Sequence, residues 1–528
     1  MDYEKDTPFG LGSSDDDKPK EECAIFGVFD PNGEVQASRL TFFGLYTLQH
    51  RGQEGCGLAS NDGSSGFHVH KGMGLVTQVF KEKTMKQLKG SSCIGHNRYS
   101  TVGSSQLTNA QPFVIETLHG PLAIAHNGQL TSTHNLRRQL LENGVGMFTS
   151  SDTEVIVQML ARRPPGEDSE TPDWEGRIKS LMEYTSAAYS LVIMTKDALF
   201  GVRDPFGFRP LCIGEIRPDS PDKKPVYILS SESCAMHTVG ADFVRDVAPG
   251  EIIRIDKSGV HSSIGATLPP QKKTALCVFE YVYFSRPDSL LDGGRLLVHS
   301  VRQDLGRQLA REHPAPDADI VIGVPDSSTP AAIGYALESG LPFTEGLTKN
   351  RYIGRTFIAP DQAQRQRTIG LKFNPLVQNL RDKSVVIIDD SIVRGNTLSH
   401  LIAMIRQANP KAIHVRISSP PVQHPCFMGV DMSTYEELIG HNHTVEQIRD
   451  HIGADSLGYL SIEGMMQVVR EGVVDQDKDG HCNACFSGEY PLEIEDLVPI
   501  RAAREERERE NHRREAKATP DKEAEPAC

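Results

Sequence analysis

Residues 385–397 read VVIIDDSIVRGNT. An apolar, β-branched run ends in two adjacent carboxylates, Asp389 and Asp390, and then in Ser391, the turn Val393-Arg394-Gly395-Asn396 and a second hydroxyl at Thr397. Backbone N–H groups at a helix start, with a glycine that lets a ligand approach closely, suit a phosphate. The carboxylates would repel that phosphate, so they are expected to hold sugar hydroxyls or a metal beside it. No Lys follows the glycine in the pattern G-x-x-x-x-G-K-[ST], so this is not a P-loop. A second polar turn, Val324-Pro-Asp-Ser-Ser-Thr-Pro330, also follows an apolar run and presents hydroxyls, Ser327 among them, ahead of a helical stretch. Four cations, Lys349, Arg351, Arg355 and Arg365, lie in and after KNRYIGRTFI at 349–358.

A different chemistry is written near the other end. In EECAIFGVFD, residues 21–30, Cys23 stands where an acid-rich leader gives way to a strand-like run. HNRYST (96–101), AHNGQL (125–130) and SSDTE (150–154) each place polar side chains beside a strand end or a helix start. Amide hydrolysis by a thiol needs a nucleophile, a proton acceptor and donors for the oxyanion. Cys23, with the side chain of Asn127 and the backbone N–H of Gly128 as donors, meets the first and last needs. Arg98 could grip the α-carboxylate of an amino acid and Asp152 its α-ammonium. Further thiols sit at Cys277, Cys426 and in Cys482-x-x-Cys485. That pattern admits a zinc site, an iron–sulfur cluster or a chance pair. DQDKDG at 475–480 opens like an EF-hand, but its twelfth position is Phe486 where a bidentate Glu is required, which excludes calcium.

These residues need elements to carry them. From Cys23 to about 262, short strand-like runs alternate with turns and two helical stretches, which predicts an α+β domain of mostly antiparallel strands. One helix is predicted within 131–144, and Ser151-x-x-Glu154 predicts a capping box that opens the other. A polar, Pro-containing piece at 266–273 reads as a linker. Beyond it, DADIVIGV (317–324), SVVIID (384–389) and IHVRISS (413–419) alternate with polar turns and helical stretches, which predicts an α/β domain with a parallel sheet. The expected division is 1–22 leader, 23–262 first domain, 263–500 second domain and 501–528 charged tail, either a solvated helix or disordered.

The 528 residues are 38% hydrophobic and carry a net charge of -14, enough for two large cores and unsupportive of a nucleic-acid or membrane-surface partner. No apolar stretch approaches the roughly 20 residues of a membrane helix. The acidic N-terminus has no signal core, so the expected location is cytoplasmic. There the ten cysteines point to metal binding or catalysis rather than disulfides.

Residues 385–397 resemble the phosphoribosyl diphosphate (PRPP) motif of type I phosphoribosyltransferases. The resemblance implies PRPP binding by Asp389, Asp390, Ser391, Val393, Arg394, Gly395, Asn396, Thr397 and Lys349. It also implies diphosphate at 324–330, Mg2+ at Ser327, Asp389 and Asp390, and closure of the 349–358 loop. The first-half motifs, with QHRGQE at 49–54, resemble the N-terminal-nucleophile glutamine amidotransferases, whose fold stacks antiparallel sheets between helices. That implies Cys23 as first residue of the mature chain, its own α-amine as base, an oxyanion hole of Asn127 and Gly128, and a propeptide at 1–22. Both halves in this order, over about 21–495, resemble the amidophosphoribosyltransferase family. Asparagine synthetases and hexosamine-forming enzymes share the front half but lack the PRPP motif.

The family resemblance implies formation of 5-phosphoribosylamine from glutamine and PRPP, the committed step of purine synthesis. It implies purine nucleotides as feedback inhibitors and a homo-oligomer, dimer or tetramer. The long, propeptide-bearing type of the family holds a [4Fe–4S] cluster in contexts matching Cys277, Cys426, Cys482 and Cys485; zinc is the runner-up. The rival readings are a glutaminase regulated by PRPP and a PRPP-sensing protein without turnover.

Overall fold

In the strand Ala24–Phe29 every residue is buried, because both faces are covered. Ala24, Phe26 and Val28 pack among residues of the helix Ala37–Thr47, while Ile25 and Phe29 join a separate core with Ala125, Val192 and Ile253. That two-residue alternation separates the layers of the first half. The computed structural model describes residues 23–494 apart from 65, 100–105, 164–171, 186, 351–371, 431, 433, 472, 474 and 476. The leader, the tail and the expected closing loop with Arg351, Arg355 and Arg365 lie outside the described residues.

The first half contains two antiparallel sheets. One has seven strands, with Ala24–Phe29 between Val226–Ser230 and Ser92–Arg98. The other has six, with Gly120–Leu130 between Phe113–Thr117 and Ala187–Met194. Their inner faces meet in an apolar layer, and the helices Asp152–Ala161 and Trp174–Tyr184 cover the outer face of the six-stranded sheet. The expected helix within 131–144 is Thr133–Glu142. At Ser151 the predicted capping box is only half made. The Ser151 side chain accepts from the Thr153 N–H, but Glu154 turns away and accepts from the N–H groups of Phe148 and Thr149, both at 2.7 Å. The preceding loop offers two unpaired donors, and one carboxylate satisfies both.

The second half is built on a four-stranded parallel sheet in the order Ile320–Gly323, Ser384–Asp389, Ala412–Ile417, Ser456–Tyr459. Alternation again divides the faces. Val321, Val386 and Ile388 pack with Leu305 and Ala332, from the helices Val298–Glu312 and Thr329–Ser339. Ile320, Ile322, Val385 and Ile387 pack with Leu401, Ile405 and Ile448, from Asn396–Arg406 and Val445–Ile452. Residues 266–273 contain no helix or strand. No helix among the described residues is long and apolar enough to cross a membrane.

Candidate active site

Two sites are built at opposite ends of the chain's logic, one at the rim of the stacked sheets and one at the carboxyl ends of parallel strands.

At the first, Cys23 immediately precedes its strand and is half-buried. Its Sγ donates to the Tyr99 carbonyl and accepts from the Tyr99 N–H, both at 3.4 Å. Burial pushes the thiol up to about 11; the Arg98 charge opposes this, while Glu54 and Asp152 add to it. A thiol held protonated by burial requires a proton acceptor if it is to act as a nucleophile.

Arg98 ends the strand Ser92–Arg98, and Asn127 and Gly128 lie in the facing sheet on Gly120–Leu130. His96 Nε2 lies 3.1 Å from the His126 carbonyl, which ties the two sheets together next to these residues. Asn127 is 1% exposed, yet among the described residues neither its side-chain nitrogen nor its oxygen has a hydrogen-bond partner. Buried amides are nearly always paired, which leaves the hydrogen-bonding capacity of this one open to a ligand. Gly128 has φ +140°, and a Cβ there would lie 2.0 Å from the Ala188 carbonyl oxygen, so only glycine fits. Asp152 heads the helix Asp152–Ala161 and accepts from the Leu130 N–H at 3.1 Å, with His126 Nδ1 3.8 Å away.

The second site joins both polar turns. Ser327 Oγ donates to Asp390 at 2.5 Å, and Ser328 Oγ donates to Asp389 at 2.8 Å and to Asp390 at 3.3 Å. Ser391 Oγ donates to the other Asp390 oxygen at 2.9 Å. Gly395, φ +85°, turns the chain into the helix Asn396–Arg406, whose N-terminus opens beside these carboxylates. Val393 and Thr397 flank that turn, and Arg394 is held by Glu437 at 2.8 Å. Lys349 reaches Asp326 of the other turn at 2.5 Å. Hydroxyls, carboxylates and a helix N-terminus thus surround one strand end, the usual ligand position in an open parallel sheet.

The four cysteines singled out in the sequence line one enclosed cavity, walled by Phe208, Phe279 and Met428. Cys277 pairs with Cys482 across a two-residue parallel ladder, and the N–H groups of Gln423 and His424 both donate to the Cys485 carbonyl at 3.0 Å. Burial pushes the Cys277 thiol up to about 11, and nearby Cys426 adds to the effect. Among the described residues, no group of three or more His, Cys, Asp or Glu side chains is placed to hold a metal ion.

A model of the glutamine amidotransferase domain matches residues 96–237, and one of the phosphoribosyl transferase domain matches 303–419. The amidophosphoribosyltransferase of Rattus norvegicus is 45% identical over 511 residues, covering 90% of this chain and 98% of the relative. That of Synechococcus elongatus is 46% identical, covering 92% and 95%. The chain belongs to the amidophosphoribosyltransferase family. Among solved structures, the B. subtilis glutamine PRPP amidotransferase complexed with ADP and GMP is 42% identical, with a TM-score of 0.79, covering 89% of this chain and 98% of that one.

As a member of this family, the protein is an enzyme of purine biosynthesis that carries out glutamine-dependent amidotransfer to PRPP. The amidophosphoribosyltransferase reading also accounts for the α+β half followed by the α/β half. Three site neighbours escaped the sequence reading: Tyr99, Glu54 and Ser328. Ser328 adjoins Ser327, and two consecutive hydroxyls before a helix are the signal that marks it. Tyr99 acts through its backbone, which leaves no mark in residue type.

Proposed function

We propose that Cys23 is the nucleophile of the glutamine half-reaction, and that Asp389 and Asp390 bind the ribose hydroxyls of PRPP in the other. Cys23 Sγ attacks the side-chain carbonyl carbon of glutamine, and the Sγ–C bond formed becomes a thioester as the C–N bond breaks and ammonia leaves. Water then cleaves the thioester to glutamate. Asn127 and the N–H of Gly128 donate to the oxyanion, Arg98 pairs with the α-carboxylate and Asp152 with the α-ammonium. Ammonia attacks C1 of PRPP, the C1–O bond breaks, and diphosphate departs to leave 5-phosphoribosylamine. Ser391, Val393, Arg394, Gly395, Asn396 and Thr397 cradle the 5-phosphate, and Lys349 pairs with the diphosphate. The unpartnered buried amide of Asn127 carries the first assignment.

A base must lower the proton barrier at Cys23. The α-amine freed by cleavage after Glu22 is within the same residue and, with an ordinary pKa of about 8, is neutral in part at physiological pH. Active protein should therefore begin at Cys23, read by intact mass and N-terminal sequencing. Full glutaminase activity in a chain that retains residues 1–22 would refute the amine as base.

Ser327, Asp389 and Asp390 form an all-oxygen donor set suited to Mg2+, which would neutralise charge on the departing diphosphate. The four thiols line one mainly apolar enclosure without being drawn together as a ligand group, and as soft donors they would suit a [4Fe–4S] cluster, with zinc as the other candidate. Thiols raised by burial must lose protons to bind either, so ligation and local folding are coupled. Anaerobic protein should contain about four iron and four acid-labile sulfide per chain, and Cys485→Ser should lose both. One zinc per chain without iron would replace the cluster. Feedback by purine nucleotides, a homodimer or homotetramer and a cytoplasmic location complete the proposal. The ADP and GMP bound to the B. subtilis relative support the first of these.

A further inference from the structure

Arg51, in the segment QHRGQE, is 1% exposed and spans the two halves of the chain. Its Nε donates to the backbone carbonyl of Cys23 at 3.3 Å. Its Nη1 donates to Glu232 at 2.7 Å and to one oxygen of Glu280 at 2.9 Å, and its Nη2 donates to the other oxygen of Glu280 at 2.8 Å. Glu280 is fully buried on a single π-helical turn, Glu280–Phe284, three residues beyond Cys277. Ser285 Oγ donates to it at 2.5 Å, and Arg209 Nη1 lies 3.8 Å away.

Two carboxylates and two guanidiniums are thus buried together. Such a group is a weak source of stability, since desolvating the charges offsets most of their attraction. Its geometry has another use. The fork of Arg51 is gripped at both tips by Glu280, so its third nitrogen, Nε, is aimed at one backbone atom, the carbonyl of the residue that bears the thiol. Fixing that carbonyl fixes the peptide plane after Cys23 and the place of its Cα, from which the sulfur and the residue's own nitrogen project, while the Tyr99 backbone holds the sulfur itself.

We propose that Glu280, contributed by the phosphoribosyltransferase half, is a positioning residue for the glutamine half-reaction, acting through Arg51 on the backbone of Cys23. The inference rests on the reading of Cys23 as nucleophile. In Glu280→Gln one oxygen still accepts from Arg51, but the other contact becomes an amide opposite a guanidinium, and a buried positive charge is left in excess. A small displacement of a reacting group costs up to about 10²-fold in rate.

In full-length Glu280→Gln, kcat for glutamine hydrolysis should therefore fall by about 10- to 100-fold. KM for glutamine should stay within about twofold, because Arg98 and Asp152 are untouched. Synthesis from added ammonia should be retained, the pH profile of Cys23 alkylation by iodoacetamide should shift, and Glu280→Asp should recover part of the rate. Wild-type glutamine kcat in Glu280→Gln would overturn the inference. So would parallel loss of both activities in Glu280→Gln and Glu280→Asp, which would make Glu280 a residue that holds the halves together. Retention of glutamine-dependent synthesis in Cys23→Ala would instead overturn the nucleophile assignment on which the inference rests.

Discussion

Cys23→Ala should abolish synthesis of 5-phosphoribosylamine from glutamine and leave synthesis from added ammonia close to that of the parent enzyme. In the proposed mechanism alanine removes the atom that forms the thioester, and the oxyanion donors assigned to Asn127 and Gly128 have nothing to stabilise without it. The second activity survives because the turn containing Ser327 and the strand end at Asp389 belong to a different sheet from Cys23. Both rates are read on one preparation, by glutamate release and by capture of the amine product. Equal loss of the two would count against separate sites.

Asp390→Asn is expected to produce the largest defect in the other half-reaction. Asp390 is 1% exposed and accepts from Ser327, Ser328 and Ser391, so its position is fixed before substrate arrives. A neutral amide there loses the charge-assisted acceptor proposed for a ribose hydroxyl, a loss of about 1.5–3 kcal/mol. PRPP affinity should fall by roughly 10- to 150-fold. Asp389→Asn should act in the same direction, because Ser328 holds it in the same way at 2.8 Å. The check is a PRPP titration of each variant, with N-terminal processing at Cys23 unaffected. Unchanged titrations in both variants would place PRPP elsewhere.

The sequence revealed what is local. Asp389 and Asp390 are adjacent, their strand is a run of β-branched residues, and Gly395 opens the next helix, so that site could be read from thirteen consecutive residues. The halves were legible for the same reason, since the apolar run AIFGVF and the β-branched run in SVVIID follow directly from strands covered on both faces. The strand Ser456–Tyr459 was not read, because SLGY is short and half of it is Ser and Gly, which have little preference for extended chain. Nor was Arg51–Glu280, whose partners are 229 residues apart and are joined only by the packing of one half on the other. Glu154 was read as a reciprocal cap, whereas the loop before it competed successfully for the carboxylate. Tertiary partners of this kind do not appear in residue type or spacing.

The ladder that pairs Leu276 with His481 and Cys277 with Cys482 bears on how the protein is made. Closing so long a stretch, roughly 200 residues, costs on the order of 5 kcal/mol in chain entropy. Two ladder residues alone do not offset that. Phe486 stacked on Phe279 at 5.3 Å and the cavity walls must contribute as well. On the ribosome the front half can fold while the rest is still being synthesised, but the wall around Cys277 and Cys426 waits until Cys485 has left the exit tunnel. The thiol cavity is therefore a late event of synthesis, assembled only on chains that have been translated nearly to their end, and a nascent chain that stalls before Cys482 can hold two correctly folded sheets without ever enclosing that space.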